Sequence, residues 1–252
     1  MTVSNSVDIL YFVGCTVSFD NNVKEVGINT INIFDAVGLN YGILGKEEKC
    51  CGSVMLRIGD NEFERLARYN ITLFNSLNIK TIVTSCAGCY RTIKIDYQRV
   101  GKLDMEVLHI SELLEMLILE NKLELKYEVP MTVTYHDPCH LGRHSNLYDT
   151  PRRILNKIPG LRLIEMERAR EFSRCCGAGG GLKAGFPDIQ NLMAQERVKD
   201  AEKTGAKLLV SSCPFCYQGV QIGINALQSD LIMTDITELI ALSMGINTRI
   251  KP

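Results

Sequence analysis

Cysteine is distributed along this 252-residue chain as one pattern written twice, and that pattern constrains the fold more than any other feature of the sequence. Cys15, Cys50, Cys51, Cys86 and Cys89 form one set, and Cys139, Cys175, Cys176, Cys213 and Cys216 form the other, so that all ten are used. Each set reads as a lone cysteine, then Cys-Cys-Gly, then Cys-x-x-Cys, with 34–36 residues in every long gap. The offset between the copies drifts only from 124 residues at Cys15/Cys139 to 127 at Cys86/Cys213, which marks a duplication. Two segments of the same plan must each bring distant cysteines to one place. The second Cys-Cys-Gly continues as Cys175-Cys176-Gly177-Ala178-Gly179-Gly180-Gly181, a poor helix or strand because glycine raises the entropy cost of ordering and leaves no side chain to pack. Such a run is tolerated where backbone must come close to something. An iron-sulfur cluster, bound by thiolates and hydrogen-bonded by backbone N–H groups, is a natural candidate.

Between the cysteines, strand and helix patterns alternate. Asp8 to Cys15 is an apolar run rich in strand formers that delivers Cys15 at its carboxyl end. Helical spacing follows at Val23, Val26, Ile33, Phe34 and Val37, closed by Gly38, and Asn40 to Leu44 reads as a short strand. A helix face over Glu62 to Leu77 leads to a buried strand over Lys80 to Ser85, which ends at Cys86-Ala87-Gly88-Cys89. A last strand, Met105 to Ile110, passes into a helix from Ser111, whose hydroxyl is placed to cap it. The second half repeats the order: Val133 to Cys139 matches the opening strand, Leu208 to Cys216 matches Ile82 to Cys89, and Asp235 to Ile240 lies opposite His109 to Leu114. The fold class is therefore α/β, with two tandem, pseudo-twofold-related, Rossmann-like domains over residues 1–127 and 128–252. Each is a small parallel sheet carrying one cysteine motif, and the charged stretch Asn121 to Glu128, bounded by Pro130, links them. In open sheets of this kind ligands sit beyond the carboxyl ends of the strands, where Cys15, Cys86, Cys139 and Cys213 fall.

A net charge of -1 without long basic runs offers no phosphate-binding surface, so nucleic acid is not an expected partner. The opening, Met1 to Asp8, is short and polar, and no apolar run approaches the roughly 18 residues of a membrane span. A cytoplasmic chain is expected, and among reducing pools it has little use for disulfides. Structural zinc, held by four thiolates, suits Cys86/Cys89 and Cys213/Cys216 but leaves one cysteine of each set idle. A thioredoxin-like dithiol suits Cys213-Pro214-Phe215-Cys216, with proline in the first turn of a helix, but does not account for Cys139, Cys175 and Cys176. Buried structural thiols would leave the regular spacing to coincidence. Nor is there a dinucleotide fingerprint, since the Gly177 to Gly181 run lacks a strand-to-helix setting and its acidic residue.

A single cysteine, a Cys-Cys-Gly about thirty-five residues on and a Cys-x-x-Cys after a similar gap, written twice, resembles the cysteine-rich CCG domain family over nearly the whole chain. That family includes the catalytic subunits of heterodisulfide reductase and the iron-sulfur subunits of anaerobic glycerol-3-phosphate dehydrogenase, glycolate oxidase and lactate-utilisation enzymes. The stretches His136-Asp137-Pro138-Cys139-His140-Leu141-Gly142-Arg143 and Cys175 to Gly181 look most like the catalytic chain of heterodisulfide reductase, either whole or as the C-terminal part of a longer chain. The resemblance implies two noncubane [4Fe-4S] clusters, each held by five cysteines, and it carries over to every cysteine of both sets. In several relatives one motif is incomplete and that half holds zinc or nothing, so zinc stands as the alternative at the first site. The implied reaction is cleavage of a small-molecule disulfide between the two sites, in one-electron steps, to two thiols. In methanogens that substrate is the mixed disulfide of coenzyme M and coenzyme B. His140, next to a proposed ligand, matches a histidine thought in heterodisulfide reductase to protonate a product thiol, and its pKa class suits that task. The plainer reading of His140 is a ring donating to a backbone carbonyl.

A cluster bearing five thiolates takes its potential from nearby cations and N–H donors. In sequence, His140, Arg143, Arg174 and Lys183 flank the second site, with His136 and His144 as outer groups, while Arg57 and Arg91 are the nearest analogues for the first. The plainer reading of each arginine is a solvated surface charge. No C-x2-C-x2-C-x3-C-P run occurs, so the resemblance implies a ferredoxin-type iron-sulfur subunit as electron donor. Beyond it, a subunit with flavin or a membrane cytochrome would hold the assembly at the inner face of the membrane. Two other functions fit the residues: an electron-relay subunit of a glycerol-3-phosphate, glycolate or lactate dehydrogenase complex, and a zinc-stabilised interaction module.

Overall fold

The computed structural model describes residues 7–251; residues 1–6, most of the polar opening, and Pro252 lie outside the described residues. Among the described residues, strands β1 (Ile9–Tyr11), β2 (Tyr41–Gly42), β3 (Thr81–Thr84) and β4 (Glu106–His109) form one sheet in the order β2-β1-β3-β4. Strands β5 (Thr132–Tyr135), β6 (Arg162–Leu163), β7 (Leu208–Ser211) and β8 (Ile232–Asp235) repeat it as β6-β5-β7-β8. Every pairing is parallel, and the registers agree: Tyr11 lies opposite Val83 as Tyr135 lies opposite Val210, and Thr84 opposite His109 as Ser211 lies opposite Asp235. This is the pair of Rossmann-like units that the repeat implies.

The strands are shorter than the apolar runs. Past Tyr11 the Phe12 N–H still donates to Val83 O at 2.8 Å, but the Glu48 carboxylate then takes the N–H groups of Val13 at 3.0 Å and Gly14 at 2.7 Å and draws the chain off the ladder. Cys15 consequently opens the helix Cys15–Phe19 instead of closing a strand. The helix after β4, Ile110–Leu119, starts one residue earlier than the pattern suggests, so its cap is His109 and not Ser111. His109 Nδ1 accepts the Ser111 N–H at 3.2 Å while Glu112 accepts the His109 N–H at 2.9 Å, a reciprocal capping box. In the second half Asp235 caps Ile236–Ser243 through the Thr237 N–H at 3.0 Å.

Each half sends its last helix to the other. Ile110–Leu119 packs on Asp149–Leu155, with Arg153 paired to Glu115, and Ile236–Ser243 packs on Lys24–Ala36. The apolar cores therefore do not divide one per half. One joins Phe12, Phe74 and Ile82 to Leu209, Val220 and Ile224 around the cysteines; the other joins Tyr11, Phe34 and Leu108 to Tyr135, Val210 and Leu239. The stretch 121–128 contains no helix or strand and is pinned by the N–H groups of Lys126 and Tyr127, which both donate to Ser243 O at 2.9 Å.

His109 also crosses between halves, its Nε2 lying 3.0 Å from Ser212 O in a fully buried setting. Burial pushes its pKa down to about 4. The unfolded chain takes up that proton near the ordinary pKa of about 6.5 and the folded chain does not, so this contribution is present above that value and lost as pH falls toward 4. His109→Asn keeps an N-cap acceptor. Between pH 7 and pH 4.5 it is expected to lose about 2 kcal/mol less stability than the wild-type chain. Urea unfolding at the two pH values measures the difference, and equal losses would clear His109 of the effect.

Candidate metal centre

Cys15 and Cys86 follow β1 and β3, and Cys139 and Cys213 follow β5 and β7, so four of the ten leave the carboxyl ends of the central strands. Cys89 and Cys216 sit in the first turns of the helices Ala87–Lys94 and Pro214–Leu227. The Cys-Cys-Gly pairs run into left-handed glycines, Gly52 at φ 78° and Gly177 at φ 74°. A Cβ there would lie 3.0 Å from the Phe63 ring or 3.2 Å from Gln190 Cα, so only glycine makes the turn comfortably. That turn aims the Gly52 N–H at Cys50 Sγ, 3.4 Å, and the Gly177 N–H at Cys175 Sγ, 3.3 Å. The next residues donate as well, Ser53 to Cys51 and Ala178 to Cys176.

All ten cysteines are free thiols, and all ten line one pocket. Their sulfurs form an unbroken line of contacts. Cys15 touches Cys50 at 3.9 Å, and contacts continue through Cys51 and Cys89 to Cys86. Cys86 meets Cys213 across the halves. From there the line runs to Cys216, to Cys176 at 3.4 Å, to Cys175, and ends at Cys139, 3.9 Å from Cys175. The pseudo-twofold passes between Cys86 and Cys213. Protons are shared along the line: contact with Cys15, then Cys51, pulls the Cys50 thiol far below its ordinary range, and Cys139, then Cys176, does the same to Cys175. Five soft thiolates per half, backed by convergent N–H donors and with no carboxylate lining the pocket, fit an iron-sulfur group or zinc and not a hard cation.

His140 lines the same pocket, with Nδ1 3.8 Å from Cys139 Sγ and Nε2 3.3 Å from Arg57 Nε. A guanidinium only donates, so Nε2 accepts and the ring proton sits on Nδ1, facing the sulfur. Burial, then Arg57, holds the His140 pKa below its usual value. Arg57, read from sequence as an analogue for the first site, therefore reaches across to the second, while its other arm pairs with Asp96 at 2.8 Å. Arg91 pairs with the same carboxylate at 3.3 Å. The remaining flanking groups are engaged elsewhere: Arg143 with the carbonyls of Glu171 and Ser173, Arg174 with Glu196 and Asp200, and His144 with the His140 ring, 5.1 Å away. Burial holds the Lys183 pKa below its usual value, with Asp20 of the first half acting against it.

His136 proves more central than its sequence position suggests. Fully buried after β5, it holds a ring nitrogen within 4.8 Å of the Cys176 and Cys216 sulfurs. Its Nδ1 accepts from Arg197 Nε at 3.0 Å. Arg197 escaped the sequence reading, although a signal existed: it is a charge on the buried face of helix Pro187–Glu202, shared with Ala194, Val198 and Ala201.

The CCG cysteine-rich domain family matches residues 9–94 and again 133–221. A subunit of the dihydromethanophenazine:CoB–CoM heterodisulfide reductase of Methanosarcina barkeri is 43% identical over 98% of this chain and 61% of its own length. The "EtfAB:quinone oxidoreductase" of Syntrophomonas wolfei is 34% identical over 88% of this chain and 32% of its own length. The chain thus spans about three-fifths, or less, of the length of these relatives. A hypothetical protein from Helicobacter pylori, 11% identical, superposes over 98% of this chain and 51% of its own with a TM-score of 0.67, a likeness of fold alone.

Proposed function

Because the chain belongs to the cysteine-rich CCG domain family, we propose that it is an iron-sulfur redox subunit whose two units, residues 1–127 and 128–252, together cleave a disulfide to two thiols. The observation that carries this reading is the unbroken line of ten sulfurs, joined at Cys86 and Cys213 beneath one pocket. A substrate disulfide reacting with two redox groups needs both within reach, whereas two structural zinc sites have no reason to touch.

Cys15, Cys50, Cys51, Cys86 and Cys89 would hold one group, and Cys139, Cys175, Cys176, Cys213 and Cys216 the other. When bound, two noncubane [4Fe-4S] clusters supply one electron each. The balance is one disulfide, two electrons and two protons to two thiols. The chain's own part is to seat the sulfur–sulfur bond and deliver protons. Val54, Pro138 and Phe215 give the pocket apolar walls that exclude water, and Gly179 and Gly180 present bare backbone to a ligand. His140, its ring beside the Cys139 sulfur, would carry a proton to a product thiolate. Neutral in this structure, it donates once Nε2 leaves Arg57 and takes up a proton, and loss of one proton from the imidazolium restores the neutral ring.

All ten cysteines of these 252 residues are taken by the two quintets, and the donor we place before them is a ferredoxin-type iron-sulfur subunit, itself served by a flavin or membrane cytochrome subunit. Among the described residues no helix is long and apolar enough to cross a membrane, which suits a cytoplasmic subunit attached to the inner face through such a partner. The substrate class follows the name of the Methanosarcina relative, a coenzyme M–coenzyme B heterodisulfide or a related compound.

Anaerobically purified protein is expected to carry roughly eight irons per chain with matching acid-labile sulfide. With a chemical reductant it should release two thiols for each heterodisulfide consumed. Roughly four irons with one zinc would place zinc at one of the two sites and end the two-cluster reading. Full iron without thiol release would favour the electron-relay reading, which the Syntrophomonas relative supports. Protein without iron would end both.

A further inference from the structure

The two quintets share one backbone plan, so the groups that differ around them are informative. The N–H donors of Gly52 and Gly177, and of Ser53 and Ala178, repeat and cancel. Other groups do not repeat. Phe12 and His136 occupy the same position: their backbone N–H groups donate to Val83 O and Val210 O, both at 2.8 Å. In the first half that position is an apolar ring set edge-on to Phe74 at 6.0 Å. In the second it is an imidazole whose Nδ1 accepts from Arg197, which leaves the proton on Nε2. Nε2 is buried and has no hydrogen-bond partner among the described residues, and a ring nitrogen lies within 4.8 Å of the Cys176 and Cys216 sulfurs. A polar ring thus lies beside those sulfurs, with a buried guanidinium behind it, where the first half has only carbon.

The second difference lies at the joint. The Ala87 N–H donates across the halves to Cys213. The matching position in the other direction is Pro214, which has no N–H, so Cys86 lacks the return bond. The third is His140, with its Nδ1–H toward Cys139, where the first half has Thr16. Acting in the same direction on the difference, the first half brings a carboxyl, Glu48, under the chain leading to Cys15.

Hydrogen bonds and positive charge around cluster sulfurs favour the reduced, more negative state and raise its potential. We infer that the two sites are inequivalent: His136, positioned by Arg197, and the Ala87 N–H set the second quintet at the higher reduction potential, so that electrons shared by the two sites collect at the second. The inference rests on the iron-sulfur reading above. It makes Arg197 a positioning residue acting through His136, and it makes the first site the one that passes electrons on.

Redox titration of the anaerobically purified protein, followed by electron paramagnetic resonance, is expected to resolve two midpoint potentials. His136→Phe, which copies the first half, should lower the higher potential and leave the lower in place. Pro214→Ala, which restores the missing N–H in a helix turn that accepts alanine, should raise the lower one. The gap then narrows from opposite ends, and no turnover is needed to see it. Coincident potentials in the wild-type protein, or a gap that neither substitution narrows, would overturn this inference and leave the disulfide-reductase reading standing. Should His136→Phe fail to retain its iron, Pro214→Ala decides alone, an upward shift supporting the inference and no shift overturning it. Fewer than two iron-sulfur sites in the wild-type protein would remove the reading and the inference together.

Discussion

Cys213→Ser is expected to remove about half of the iron and to lower disulfide cleavage by more than about 100-fold. Cys213 is buried at the joint of the two quintets, touched by Cys216 and Cys86 and receiving the N–H groups of Cys216 and Ala87. A serine oxygen is harder and reaches less far than a thiolate, so it suits iron-sulfur ligation poorly and gives up the contact with Cys86. Loss of an outer partner of a metal ligand already costs roughly 10–100-fold, and here the ligand itself goes. The first five sulfurs are untouched, which leaves roughly four irons per chain. Cys86→Ser should mirror this result from the other side. If cleavage takes place between the sites, the two variants lose activity to a similar degree although they empty different halves. Iron and sulfide content with a thiol-release assay reads both quantities, and a Cys213→Ser protein that keeps its full iron removes Cys213 from the ligand set.

What was legible in the sequence is what depends on spacing along the chain. The ten cysteines, their offset, and the positions of Cys15, Cys86, Cys139 and Cys213 after strands all follow from local pattern, and the structure brings every one of them to a single pocket. What was not legible depends on which distant segments meet. Nothing in Ile110–Leu119 says that it packs on Asp149–Leu155, because an amphipathic helix declares an apolar face but not its partner. Arg57 reads as a neighbour of Cys50 and Cys51 by sequence, yet the close approach of the halves delivers it to His140. That approach is itself glycine-dependent, since a Cβ on Gly181 would lie 2.9 Å from Ile58 Cγ2. The glycine run therefore serves the contact between halves as well as the pocket. His109 misled as a cap because histidine rarely accepts from the helix backbone, and here burial keeps its ring neutral and able to do so.

Arg152→Ala is expected to cost about 3–5 kcal/mol of stability and to open the second site. The guanidinium is buried and donates to both oxygens of Asp137 at 2.6 and 3.0 Å, to both oxygens of Glu165 at 2.5 and 2.9 Å, and to Tyr148 O at 2.7 Å. Asp137 lies two residues before Cys139 and also accepts the Arg170 N–H at 2.8 Å. One side chain thus fastens three segments behind the lone cysteine of the second quintet. The first half anchors its equivalent loop with Glu48 instead, so the effect should be confined to the second site. Removing Arg152 alone leaves a carboxylate buried without its cation, which is the costly way to break such a pair. Asp137→Asn with Arg152→Met removes both charges and should recover most of the loss, because the introduced amide oxygen can still accept from the Arg170 N–H, and Glu165, at 42% exposure, turns to water. Denaturant unfolding of the single and double variants decides the cause. A double variant no more stable than Arg152→Ala would mean that lost packing, and not a bare charge, destabilises the loop that carries Cys139.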